Sequence, residues 1–91
     1  MNQDKAIIYF NIECKGKIET KDLEIPIDIT VNELIIALNS AYNLGIDLEN
    51  KKQCYLKAEN PIALLKGNKT LRNYKIMNGT SITFNKGEYN E

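Results

Sequence analysis

The chain has 91 residues, 43% hydrophobic and 26% charged, which is enough for one small soluble domain and too little for a deep catalytic cleft. Twelve basic and twelve acidic side chains cancel to a formal net charge of zero, which argues against an obligate binder of nucleic acid or anionic membrane. Histidine is absent, so an imidazole base, a His-ligated metal and a histidine pH switch are excluded.

Composition alone therefore points toward a binding module. Charge is unevenly placed: residues 1–50 carry four basic and nine acidic side chains (net −5), residues 51–91 eight basic and three acidic (net +5). The split marks either a dipolar surface that steers a partner or, the preferred reading, lysines clustered in solvated strands and loops. The opening MNQDKAIIYF lacks the basic segment and long apolar stretch of a secretory leader. No apolar run approaches the ~18 residues of a spanning helix, so a cytoplasmic chain without membrane insertion is expected. Cys14 and Cys54 show no CxxC spacing and are expected as reduced thiols, one a core hydrophobe and one near a strand end.

In chain order, residues 6–13 (AIIYFNIE) alternate as a strand. Ala6, Ile8, Phe10 and Ile12 form its inner face; the more polar set Ile7, Tyr9, Asn11 and Glu13 faces out. Lys15-Gly16-Lys17 is a turn, and residues 18–25 a second strand with Leu23 and Ile25 inward, giving an antiparallel hairpin. Pro26, lacking an N–H, closes that strand. Thr30-Val31-Asn32-Glu33 has the pattern of a capping box, in which hydroxyl and carboxylate each satisfy a backbone N–H at the start of a helix. Val31, Leu34, Ile35, Leu38, Ala41 and Tyr42 then mark one helical face over about 31–43, with Gly45 as the stop.

Residues 53–58 alternate again, Cys54 and Leu56 inward, Tyr55 and Lys57 outward. Asn60-Pro61 is a turn, Ile62–Leu65 a short edge strand, and Lys66–Lys69 another turn. Thr70–Ile76 is expected as a 3₁₀ turn, followed by a turn at Asn78-Gly79 and a last strand over 80–84 with Ile82 and Phe84 inward. The ordered domain is placed at about 5–85 of a single domain spanning 1–91, with 86–91 a polar tail. The remaining core is assigned to Leu65, Leu71 and Ile76. The order β-β-α-β-β-turn-β describes an α+β sheet with one helix on one face. With the first and last strands parallel at the centre, this is the β-grasp arrangement.

The segment Thr70-Leu71-Arg72-Asn73-Tyr74-Lys75-Ile76, with Ile82 beyond it, resembles the ubiquitin-like pattern T-L-x-D-Y-x-I, Asn73 standing where an acid is usual. In that pattern the Leu, Tyr and Ile anchor a loop against helix and sheet, and the Tyr hydroxyl bonds a nearby backbone group. The opening hairpin, the Leu64-Leu65 run and the segment LRNYKIMNGTSITF are similar to the YukD/EsaB family of small bacterial ubiquitin-like proteins of type VII (WXG100) secretion. Thr80 is a second departure, at a position where that family often has an acid. The resemblance implies a cytosolic accessory or regulatory protein whose partners are protein components of the secretion machinery.

Several chemistries have no residues to carry them. Ubiquitin-type modifiers and sulfur carriers need a terminal diglycine that threads an adenylating site; this chain ends Gly87-Glu88-Tyr89-Asn90-Glu91, so conjugation is not expected. A [2Fe–2S] cluster needs four cysteines, and no nucleophilic-serine elbow or phosphate loop occurs. No cofactor, metal site or enzyme activity is expected. The expected interaction surface is the open face of the sheet, where Ile7, Tyr9, Tyr55, Lys57 and Thr83 fall together, with Tyr55 near its centre and Tyr9 close by. In ubiquitin an apolar patch in this region binds receptors; polar Thr83 and Asn85 here argue against those receptors. The competing reading is a β-grasp module that stacks nucleic-acid bases on Tyr9 and Tyr55 beside Lys51, Lys52, Lys57 and Lys75.

Overall fold

The computed structural model describes residues 4–89. Strand β1 (Lys5–Cys14) and strand β2 (Lys17–Pro26) form the opening hairpin. Cys14 faces Lys17 across a two-residue turn in which Lys15 and Gly16 take φ of 54° and 80°. Two positive φ values match the right-handed twist of the flanking strands, and Gly16 supplies its share without a Cβ clash. Ala6, Ile8 and Phe10 are buried while Ile7 and Tyr9 look outward, as the alternation requires.

Helix α1 (Val31–Tyr42) begins at the capping box. The Glu33 N–H donates to Thr30 Oγ1 at 3.1 Å, and the Thr30 N–H donates to Glu33 Oε1 at 2.8 Å. Val31, Leu34, Ile35 and Leu38 are buried. Ala41 is exposed, contrary to its place in the sequence pattern. At 3.6 residues per turn it lies about 80° around the helix from Val31, on the flank of the buried stripe. Tyr42 packs its ring on Phe10, centroids 5.6 Å apart. The stop is Asn43 and not Gly45: Asn43 takes the left-handed conformation at φ 56°, ψ 49°, and its N–H donates to the Asn39 carbonyl.

Strands β3 (Tyr55–Glu59), β4 (Ala63–Lys66) and β5 (Ser81–Asn85) complete one five-stranded sheet in the order β2-β1-β5-β3-β4. β5 runs parallel to β1, from Tyr9 opposite Ser81 to Glu13 opposite Asn85. β3 is antiparallel to both β5 and β4. It follows that β2 and β3 point the same way, with α1 as the crossover between them. This is an α+β β-grasp fold, with the first and last strands central and the short β4 at the edge.

Most residues expected in the core are buried, with three exceptions. Ile12, Leu23 and Cys54 are half-buried at its margin. Ten-residue strands reach about 33 Å whereas a twelve-residue helix reaches about 18 Å, so the hairpin overhangs its cover and Ile12 lies under the overhang. Cys54 precedes β3 and closes a short 3₁₀ turn, Lys51–Gln53, that the alternation of 53–58 did not indicate. Four further apolar residues are buried: Ile27, Leu44, Ile46 and Ala58. Ala58 faces Ile82 across β3 and β5; the other three sit in connections. Asn39 holds one of these connections, accepting from the Ile46 N–H at 2.9 Å and donating Nδ2–H to the Ile46 carbonyl at 3.1 Å.

The segment 71–75 is a run of turns and not a 3₁₀ helix, although Tyr74 N–H to Leu71 O (3.1 Å) and Lys75 N–H to Arg72 O (2.9 Å) have the 3₁₀ spacing. It is stitched to the β2–α1 connection by Leu71 N–H to Ile29 O (3.0 Å) and Arg72 N–H to Ile27 O (2.7 Å). The Tyr74 hydroxyl donates to the Lys66 carbonyl at 3.1 Å. Past β5, Lys86–Tyr89 form a 3₁₀ turn within what the sequence marked only as polar tail; residues 90 and 91 lie outside the described residues.

Thr80 stands just before β5 and is fully buried. Its Oγ1–H donates to the Asn60 carbonyl at 2.7 Å, and Oγ1 accepts from the Met77 N–H at 3.0 Å. Thr80→Val keeps the shape but leaves both backbone groups without that partner, and is expected to destabilise by about 1–3 kcal/mol. An unchanged denaturant midpoint would show that the hydroxyl contributes nothing.

Arg72 also forks onto Asp28, Nε to Oδ1 at 2.6 Å and Nη2 to Oδ2 at 3.0 Å. The hydrogen bonds from Arg72 hold the Asp28 carboxyl below its ordinary range, outweighing slight desolvation. A carboxyl depressed in the folded state stabilises above its unfolded pKa and loses that contribution as pH falls through the lower folded value. The stability gap between the parent and Asp28→Asn is therefore expected to narrow on acidification below about pH 4. The pair is exposed, so the gap is small at any pH; pH-resolved urea midpoints that stay parallel would contradict the linkage.

Candidate functional site

α1 covers one face of the sheet and leaves the other open. Strand parity places Ile7 and Tyr9 of β1, Thr83 of β5, and Tyr55 and Lys57 of β3 on that open face. Lys57 stands directly opposite Thr83. Ile7 and Tyr9 are exposed at 52% and 45% and form one apolar corner, whereas Tyr55 is half-buried beside the edge strand, opposite Lys66. Tyr9 and Glu59 share a row through Ser81, and Tyr55 lies four residues before Glu59. The two tyrosines are thus separated by roughly 13 Å along the strands and by two strand spacings across them. The structure brings together Ile7 with Tyr9 and Lys57 with Thr83; it does not bring Tyr55 to Tyr9.

Between these ends lies a polar ladder that strand alternation does not indicate. Asn11 Nδ2–H donates to Ser81 Oγ at 2.7 Å and to Thr83 Oγ1 at 3.1 Å, while Thr20 Oγ1–H donates to Asn11 Oδ1 at 2.8 Å. One amide therefore ties β2, β1 and β5 across the open face. The available signal was an asparagine inside a β-branched run opposite strands rich in Ser and Thr. Thr83 is consumed in this ladder, which fixes the centre of the face as a hydrogen-bonded polar surface.

Glu13, Asp22, Glu24 and Glu59 fall on the same face by register, against Lys5, Lys57 and Lys66. Lys51 and Lys52 are elsewhere, in the 3₁₀ turn before β3. The open face therefore lacks the basic field that a phosphate backbone needs.

On the helix side, a groove of about 640 Å³ runs between α1, the 3₁₀ turn and the loop after β4. Ile36, Leu48, Tyr74 and Cys54 contribute to its lining along with Lys51 and Lys69. The Lys69 ammonium sits 4.7 Å above the centre of the Tyr74 ring. Cys54 is half-buried, and its thiol faces three carbonyls, of Asn50 (3.4 Å), Asp47 and Leu48 (both 3.7 Å). Burial, reinforced by Asp47 and opposed by Lys51, pushes this thiol up. Cys14 and Cys54 are both unbridged. Among the described residues, no group of three His, Cys, Asp or Glu side chains is placed to hold a metal ion, and no helix is long and apolar enough to cross a membrane.

The fold is that of a ubiquitin-like protein. It superposes on the C-terminal ubiquitin-like domain of mouse tubulin-specific chaperone e with a TM-score of 0.56, 15% identity, and coverage of 92% of this chain and 90% of that one. The UBL domain of yeast Ddi1 gives 0.57 and 15%, over 90% and 91%. Identities this low establish the fold alone. No curated protein sequence matches the chain. A family model described as the WXG100 protein secretion system (Wss) protein YukD matches residues 8–83, and the chain belongs to that family.

The thiol environment gives a direct check of the helix side. In a Cys14→Ser variant, Cys54 is expected to react with a thiol reagent at least ~10-fold more slowly in the native chain than in urea, because burial lowers both access and thiolate fraction. Cys14, at the end of β1, is expected to react faster in the converse Cys54→Ser variant. Equal native and unfolded rates for Cys54 would place its thiol outside this carbonyl cluster.

Proposed function

We propose that the chain is a non-enzymatic, cytoplasmic accessory or regulatory protein of a type VII secretion system and acts through protein–protein contact. The observation that carries this reading is the family match over nearly the whole folded domain, residues 8–83. The surface that supports it is the apolar corner of the open sheet face. Ile7 and Tyr9 project there from a rigid central strand, and tyrosine on a rigid element is a favoured binding anchor. Tyr55, Lys57 and Thr83 extend the proposed surface toward β4, with the Asn11 ladder between as a preorganised polar floor. The mixed charge of the face, with carboxylates at Glu13, Asp22, Glu24 and Glu59, favours a protein partner over nucleic acid.

The test is recovery of secretion-system components on the affinity-tagged full chain from a cell that carries the system. Ile7→Ser with Tyr9→Ser is expected to reduce that recovery at least ~10-fold, the usual cost of losing an aromatic anchor, while circular dichroism and the denaturant midpoint stay near the parent's. Tyr55→Ser is expected to give a smaller loss. Recovery of no secretion component by the parent chain would overturn the functional reading. Full recovery by the Ile7/Tyr9 variant would remove this corner as the surface.

A further inference from the structure

We propose that the groove on the helix side is a second docking site, for an acidic protein segment that carries a bulky apolar anchor. The proposal rests on the reading that the chain works by protein contact, and it names the chemistry of a partner for a surface on the opposite side from Tyr9.

Three observations converge on the groove. Its apolar floor is uncovered: Ile36 and Leu48 are exposed at 52% and 44%, although both border a concave space of about 640 Å³. Its charge has one sign, for Lys51 and Lys69 contribute to the lining and no carboxylate does. One of these charges is located by its contact. Lys69 stands over the Tyr74 ring. The nearby Asp47 carboxylate is turned to its own loop, where Oδ1 accepts from the Glu49 N–H at 3.1 Å. Among the described residues, no ion pair engages Lys51 or Lys69.

The groove is also a built shape. Its loop wall is fixed to the start of α1 by Val31 N–H to Lys69 O and Asn32 N–H to Gly67 O, both 3.0 Å, and by Asn32 Nδ2–H to Asn68 Oδ1 at 3.0 Å. Tyr74 is pinned through its hydroxyl to Lys66. A preorganised wall lowers the ordering cost of a ligand.

These features select the occupant. A purely anionic ligand leaves Ile36 and Leu48 in water, and a purely apolar one desolvates two ammonium groups without compensation. A segment with carboxylates flanking a leucine-like anchor satisfies both. Base stacking is disfavoured because one face of Tyr74, the aromatic residue of the groove, is already taken by Lys69.

The experiment is a fluorescence-anisotropy titration of the full chain at low ionic strength with three synthetic peptides. The first has two leucines flanked by glutamates, the second has lysines for the glutamates, and the third has serines for the leucines. Saturable binding of the first alone is expected, weakened several-fold by added salt. Lys51→Glu with Lys69→Glu should weaken it at least ~10-fold, since like-charge contacts replace complementary ones. Ile36→Ser with Leu48→Ser, on different elements, should weaken it comparably and guards against misfolding of the first variant. Ile7→Ser with Tyr9→Ser should leave it unchanged. The proposal is overturned if the first peptide does not bind, if the serine peptide binds equally well, or if both groove variants bind like the parent. It is also overturned if phosphatidylglycerol vesicles or single-stranded DNA bind more tightly than the peptide and are lost in the same variants. Failure of peptide binding with intact recovery of secretion components removes the groove and leaves the proposed function standing; peptide binding without such recovery removes the function and leaves the groove.

Discussion

A single short helix has to cover one face of a five-stranded sheet, and most features of this chain follow from that mismatch. Five strands span about 19 Å at their usual spacing, and a helix with its side chains covers about 10 Å. The uncovered apolar surface is closed by connections: Ile27 before α1, Leu44 and Ile46 after it, and Leu71 and Ile76 before β5. The core is therefore as much a product of loops as of regular elements.

Loops that enter a core bring backbone polar groups with them, and each needs a partner. The segment 67–72 meets this demand by pairing with 27–32, through carbonyls of Ile27, Ile29, Gly67 and Lys69. Asn39 does the same for Ile46, and Thr80 for Asn60 and Met77. No described buried side-chain nitrogen or oxygen is left without a partner. The ubiquitin-like motif around Leu71 and Tyr74 is thus a structural device, which anchors a connection as a lid on the sheet. The same stitching fixes the loop wall of the helix-side groove, so the means of closing the core also shapes a surface.

The two faces of the molecule differ in character for the same reason. The open face is built from strands alone, and its centre is neutral and hydrogen-bonded through Asn11. On the helix side, Lys51 and Lys69 of the lysine-rich second half border a groove against a helix from the acidic first half. The opposite net charges of the two halves are partly joined by Arg72 and Asp28, a contact between a β5-proximal turn and the β2–α1 connection.

The local elements were legible in the sequence because their signals are local. Alternation placed Ala6, Ile8, Phe10, Ile82 and Phe84 on one face, the Thr30–Glu33 box set the start of the helix, and the Thr70–Ile76 pattern indicated the ubiquitin-like order. Where the signal is only partly local, the sequence pattern and the fold part company. Asn43 displaced Gly45 as the helix stop, Ala41 fell on the flank of the stripe, and Cys54 sat one residue before its strand. Ile27, Leu44 and Ile46 carry no periodicity, so only packing against a sheet too wide for one helix assigns them to the core. The separation of Tyr55 from Tyr9 was likewise decided by tertiary structure. Strand parity gives the face a side chain occupies, but its position along that face depends on register between strands some seventy residues apart in sequence, and register is fixed by pairing and packing across the whole sheet.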